Sequence, residues 1–141
     1  MREYNAETIV QLLKDKAKNM AVLYVEDEEA LRISTANFLS KLFQRVEIAV
    51  DGKDGLDKYS HSKYDIVITD ISMPNMNGLE LIGNIYNINP YQEIIIMTAH
   101  TESKYTNQIN TANVAGIIYK PVDIKQMLEI LSSTVERLNV K

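Results

Sequence analysis

Short apolar runs alternate along the chain with segments whose apolar residues recur every three or four positions. Residues 21–25 (AVLYV), 66–69 (IVIT), 94–98 (IIIMT) and 115–119 (AGIIY) are compact apolar runs, and 46–50 (VEIAV) alternates apolar with polar. All five read as strands. In 28–43, Leu31, Thr35, Phe38, Leu39 and Leu42 fall at helical spacing, as do Leu79, Ile82, Ile85 and Tyr86 in 79–88. The last helix, 123–139, places Ile124, Met127, Leu128, Leu131, Val135 and Leu138 on one stripe. Residues 102–112 (ESKYTNQINTA) form a thinner helix, with Tyr105, Ile109 and Ala112 as its inward stripe. Weak packing of that kind implies low local stability.

Strands alternating with helices predict an α/β fold, a five-stranded parallel sheet covered on both faces. The continuous apolar character of the first, third and fourth strands predicts central positions, and the alternation in 46–50 predicts an edge. The expected order is 2-1-3-4-5, a doubly wound, flavodoxin-like sheet. Ligands of such sheets bind beyond the carboxyl ends of the strands, at the switch point beside the first. Residues 6–18 (AETIVQLLKDKAK) add a helix ahead of that strand, with Ile9, Leu12, Leu13, Lys16 and Ala17 at helical spacing. The expected division is an N-terminal helical extension at 1–19 followed by one domain at 20–141. The first reading of the extension is a helix packed on the domain; the second is a surface for a homodimer or for an upstream element.

Composition narrows the functional classes. At 141 residues the chain holds one domain with a substantial core. Fifteen Lys and Arg against nineteen Asp and Glu give a net charge of −4, without the basic excess of a nucleic-acid binder. Cysteine is absent, which excludes disulfides and thiolate chemistry. No apolar run approaches the roughly 20 residues of a membrane span, and Met1 to Met20 lack a signal-peptide core. A soluble, cytoplasmic protein with no nucleic-acid or membrane partner is the expectation.

The strand ends carry the candidate chemistry. The first strand ends in Glu26-Asp27-Glu28, and the third runs straight into Asp70. If these strands are neighbours, Glu26, Asp27 and Asp70 crowd into one space, which folding tolerates most readily around a cation. An all-oxygen donor set suits Mg2+. The fourth strand ends in Thr98, whose hydroxyl can donate to a phosphoryl oxygen, and the fifth in Lys120, a point charge for the same anion. Neutralisation of this kind is what transfer of a phosphoryl group to a carboxylate requires.

The segments VLYVEDE (22–28), VITDISMPNMNG (67–78), MTA (97–99) and YKP (119–121) resemble the signature of response-regulator receiver domains of bacterial two-component systems. The resemblance spans about residues 20–139 and implies a role for each residue. Asp70 would accept the phosphoryl group from a phosphohistidine on a sensor histidine kinase or phosphotransfer protein. Asp27 would bind Mg2+ directly, Glu26 through water, and Ser72 through its backbone carbonyl. Thr98 would close on the phosphoryl group and Lys120 would pair with it. Pro121 would follow a cis peptide bond, and Met73, Pro74 and Gly78 would shape the loop after the third strand, with Gly78 in a turn where a Cβ is unwelcome. A downstream protein would bind the helix 4–strand 5–helix 5 face, here 102–112, 115–119 and 123–139.

The family's pattern is broken at one position. An aromatic residue commonly stands three positions before the lysine, where this chain has Ile117. Ile117 is then expected to fill space, with signalling left to Thr98 and the adjoining loop and helix. Tyr119 shares the strand parity of Ile117, and packing against the last helix is its expected role. His100 lies at a family position that tunes phosphoryl lifetime. No partner histidine sits at ligand spacing from it or from His61, which argues against a metal role.

The expected function is a phosphorylation switch, a stand-alone receiver or the receiver portion of a longer regulator. It would not be an enzyme beyond self-phosphorylation and autodephosphorylation. The alternatives are an aspartate-nucleophile phosphohydrolase and a phosphorylation-independent pseudo-receiver. A phosphohydrolase of the haloacid-dehalogenase type would carry an aspartate where Ser72 stands. A plain nucleotide-binding domain lacks support, because no glycine-rich phosphate loop is present.

Overall fold

A computed structural model describes residues 5–99 and 113–140. Segment 102–112 and His100 lie outside the described residues. Five parallel strands, β1 (Ala21–Val25), β2 (Arg45–Ala49), β3 (Ile66–Asp70), β4 (Glu93–Ala99) and β5 (Gly116–Lys120), form one sheet in the order β2-β1-β3-β4-β5. The predicted order holds. The described helices are α1 (Ala6–Ala17), α2 (Glu29–Ser40), α3 (Gly52–His61), α4 (Gly78–Ile88) and α5 (Ile124–Val140). Among the described residues no helix is long and apolar enough to cross a membrane.

Strand alternation sorts the apolar residues onto two faces. Val22, Tyr24, Ile66, Ile68, Ile95, Met97 and Ile118 form one cluster with Leu39 of α2 and Met127, Leu128, Leu131 and Val135 of α5. Leu23, Val25, Val67, Ile94 and Ile96 form the other, with Tyr59 of α3 and Leu81, Ile82 and Ile85 of α4. β1 and β3 are buried along their whole length, as central strands covered on both sides should be. β2, an edge strand, is half exposed.

α1 packs against α5. Its Leu13 and Ala17 are fully buried in the first cluster, and Lys16 pairs with Glu136. Asn139 donates from Nδ2 to the Lys16 carbonyl at 3.3 Å. Two expected stripe positions turn outward instead: Leu12 is 41% exposed and Ile124 46%. Ile124 is the first residue of its helix, before the stripe has come under the sheet. α2 also stops earlier than its apolar spacing implied. Leu42 and Phe43 stay buried from the turn that follows it, where Leu42 N donates to the Leu39 carbonyl at 2.9 Å.

α3 has only Leu56 and Tyr59 as large apolar residues on its inner face, and glycines complete it. Gly52, Gly55 and Tyr59 are its buried positions. A Cβ on Gly55 would come within 2.9 Å of Val25 Cγ2, so glycine there lets the helix lie close on β1.

Candidate functional site

Register brings the expected residues to one end of the sheet. Val25 pairs with Ala49 on one side and Thr69 on the other, so Glu26 and Asp70 follow at the same level. Asp70 pairs with Met97, and Ala99 with Lys120. The ends of β1, β3, β4 and β5 therefore converge beside the switch point.

Glu26 continues the β1 ladder, its N–H donating to the Ala49 carbonyl at 3.0 Å. Its side chain is fully buried and accepts from Glu28 N at 3.1 Å. Asp70 is 5% exposed. Its Oδ1 accepts from Ile71 N at 2.7 Å and its Oδ2 from Lys120 Nζ at 2.8 Å. Lys120 Nζ also donates to Glu26 Oε1 at 3.1 Å, so one ammonium joins two carboxylates. Asp27 is exposed, yet one oxygen from each of Glu26, Asp27 and Asp70 lies within 4.8 Å of the others.

The electrostatics follow from this burial. Burial pushes the Glu26 carboxyl up to about 7; the Glu28 N–H opposes the rise, the Asp70 charge adds to it and Lys120 draws it back. Burial alone would lower Lys120, but its hydrogen bond to Asp70 and the two carboxylate charges hold it above the ordinary lysine range.

Three carboxylates against one ammonium carry a formal charge of −2, which a divalent cation would balance. The donor atoms are all oxygens gathered within 4.8 Å of one another, the donor type that a hard ion takes. These residues fit Mg2+.

Thr98 is buried at the end of β4, with its Oγ1 3.4 Å from the Ala99 carbonyl. Ser72 opens the exposed loop after Asp70. At Gly78 a Cβ would sit 2.0 Å from the Asp70 carbonyl oxygen, so only glycine lets α4 start against the site strand. Gly78 is the first residue of α4 rather than a turn residue, and its N–H donates to the Ile71 carbonyl at 2.7 Å. The Lys120–Pro121 peptide bond is cis.

One expectation fails. Tyr119 does not pack against α5. It shares the parity of Ile117, which lies against the α3–α4 cluster, whereas α5 covers the face of Ile118. Tyr119 is 37% exposed on that opposite side.

Arg32 escaped sequence reasoning. From the first turns of α2 its Nη1 donates to the main-chain carbonyls of Glu26 at 2.9 Å and Asp27 at 3.3 Å, bracing the acidic loop from behind. The only signal was a cation one helical turn beyond the acids. Asp51 and Asn75, hydrogen-bonded at 2.7 Å, were missed too, because they are 24 residues apart.

A family model described as "Response regulator receiver domain" matches residues 22–132. The chain is 30% identical over 112 residues to chemotaxis protein CheY of Thermotoga maritima, covering 79% of this chain and 93% of that protein. It is 32% identical over 124 residues to CheY-3 of Vibrio cholerae, covering 86% and 95%. Among solved structures it is similar to the N-terminal domain of an uncharacterized protein from Wolinella succinogenes, with a TM-score of 0.80 and 28% identity over 86% of this chain and 99% of that one. A CheY-like receiver domain protein from Methanospirillum hungatei also has a TM-score of 0.80, at 25% identity, covering 87% and 98%. The chain belongs to the response regulator receiver domain family of two-component signalling proteins.

Proposed function

We propose that the protein is a phosphorylation-activated switch that takes a phosphoryl group onto Asp70 from a phosphohistidine of a sensor histidine kinase or phosphotransfer protein. The observation that carries this reading is the Lys120 ammonium, 2.8 Å from Asp70 and 3.1 Å from Glu26. A cation already anchored at two buried carboxylates is placed for an incoming phosphoryl group.

One carboxylate oxygen of Asp70 attacks phosphorus, the P–N bond breaks, and the imidazole leaves with its electron pair. An acyl phosphate results. The hydrogen bond from Ile71 N holds the Asp70 carboxylate in place for attack. Lys120 pairs with one phosphoryl oxygen and the Thr98 hydroxyl donates to another. Glu26, Asp27, Asp70 and the Ser72 carbonyl would hold Mg2+, which when bound neutralises the charge that builds on the transferring group. The burial of Glu26 and Asp70 excludes bulk water and strengthens these contacts.

In this reading the protein acts by binding in the cytoplasm and has no turnover beyond self-phosphorylation and autodephosphorylation. Its downstream partner meets the face of β5, α5 and segment 102–112. Intact-mass measurement after incubation with acetyl phosphate and Mg2+ tests the proposal. One phosphoryl adduct is expected, labile to alkali and absent in Asp70→Asn. A folded wild-type protein that forms no adduct would overturn it in favour of a pseudo-receiver.

A further inference from the structure

The loop between β3 and α4 carries Ser72, so whatever holds that loop bears on the cation site. It leaves Asp70, passes through Asn75 in the left-handed region at φ 69°, and ends where Asn77 caps α4. Its own main-chain hydrogen bonds are Met76 N to the Pro74 carbonyl at 2.8 Å and Gly78 N to the Ile71 carbonyl at 2.7 Å.

External support comes from the start of α3. Asp51 caps that helix, its Oδ1 accepting from Asp54 N at 2.8 Å. Its other oxygen, Oδ2, accepts from Asn75 Nδ2 at 2.7 Å. The next residue presses on the same loop, since a Cβ on Gly52 would lie 2.2 Å from the Met76 carbonyl oxygen. Asp51 and Gly52 thus meet Asn75 and Met76 directly. Asparagine suits its place twice over: it visits the left-handed region at little cost, and its amide reaches the carboxylate.

We propose that Asp51 and Asn75 are positioning residues for the cation site, clamping the β3–α4 loop onto α3 and so fixing the Ser72 carbonyl relative to Asp70. This rests on the Mg2+ reading above. Neither residue belongs to the group of acids that would hold the ion. Mg2+ demands near-ideal octahedral geometry, so a carbonyl ligand counts only if its loop is held. Outer-shell contacts are commonly worth 10- to 100-fold in metal affinity, and a clamp acting through three residues of chain belongs near tenfold.

The test is calorimetric titration of Mg2+ into the full chain without a phosphodonor, joined to amide hydrogen exchange of residues 71–77 in the metal-free protein. Asn75→Gly removes the amide while keeping the left-handed backbone, the Asp51 cap and every charge. Its Mg2+ affinity should fall about tenfold. Loop exchange should quicken while that of α3 stays unchanged. Asn75→Asp, which sets two carboxylates face to face, should weaken binding at least as much. The exchange Asp51→Asn with Asn75→Asp swaps amide and carboxylate, retains a good N-cap and should restore most of the affinity. With acetyl phosphate, Asn75→Gly should need more Mg2+ yet reach the wild-type rate at saturation. Wild-type Mg2+ affinity in Asn75→Gly would overturn the inference alone. A wild-type protein that binds no Mg2+ would overturn it together with the reading beneath it.

Discussion

Lys120→Met separates the ammonium from the Mg2+ that the proposed function places beside it. The ammonium lies 2.8 Å from Asp70 Oδ2 and 3.1 Å from Glu26 Oε1. The two acids' side chains are only 7% and 1% exposed, against 21% for the lysine. Methionine keeps most of the apolar stem and removes the charge. Taking one partner from a buried pair commonly costs about 3–5 kcal/mol, because the other charge is left unpaired. A fifth of the lysine side chain reaches water and Asp27 beside it is exposed, so the lower end, about 3 kcal/mol, applies.

For a chain of this length such a loss lowers Tm by roughly 10 °C. Thermal and urea unfolding at pH 8, each in EDTA and in excess Mg2+, would measure it. Most of the deficit should disappear with Mg2+, whose charge takes over the neutralisation, while phosphorylation by acetyl phosphate stays defective. A deficit of equal size in both conditions would mean that the lysine acts through packing and that the charge argument is wrong. No deficit in EDTA would refute it more directly.

Two glycines of α4 give opposite expectations: a Cβ at Gly78 meets the Asp70 carbonyl at 2.0 Å, whereas one at Gly83 meets nothing within 4 Å. Gly78→Ala should therefore cost about 1–3 kcal/mol and slow phosphorylation, while Gly83→Ala should stabilise by up to about 1 kcal/mol; urea midpoints of matching sign would contradict this. Leu13→Ala empties a buried site under α1 and should cost about 2–5 kcal/mol, against less than about 1 for Lys16→Ala, whose ion pair is exposed. Coincident unfolding by far-ultraviolet circular dichroism and tyrosine fluorescence would show that α1 melts with the rest. The Asp54 N–H and the Asn75 amide hold the Asp51 carboxyl below its ordinary range. Its folded pKa is thus below the unfolded value near 4, so its contribution is present above about pH 5 and drains away as pH falls through 4. The stability difference between wild type and Asp51→Asn should shrink between pH 6 and pH 3, and a constant difference would exclude the effect.

Strand order and the acidic cluster were legible because both depend on local pattern. Val22 to Val25 and Ile66 to Ile68 are apolar without a break, which only a doubly covered strand requires, and acids follow each within two residues. Helix faces were less legible at their ends. Ile124 and Leu12 fit their stripes by spacing and still face water, since spacing cannot say where the neighbouring layer stops. α3 carries few large apolar residues, and its contact with β1 is made through Gly55, where close approach replaces side-chain burial. Arg32 and the Asp51–Asn75 pair act on main-chain carbonyls and loops, and polar residues of that kind carry no period to read.

Tyr119 shows how far strand parity reaches. Parity placed it on the face of Ile117, and the preference for α5 failed because α5 covers the other face. Paired residues of adjacent parallel strands point the same way, and Tyr119 is level with Thr98 on β4. Ile117, where the family commonly carries an aromatic residue, pairs one step back with Ile96 and is half-buried in the apolar cluster. The partly exposed ring therefore stands beside the threonine, while the position two residues earlier carries an aliphatic side chain committed to packing. In the proposed function, Thr98 and Tyr119 therefore lie side by side across one strand pair, with Lys120 a single residue further along the same strand.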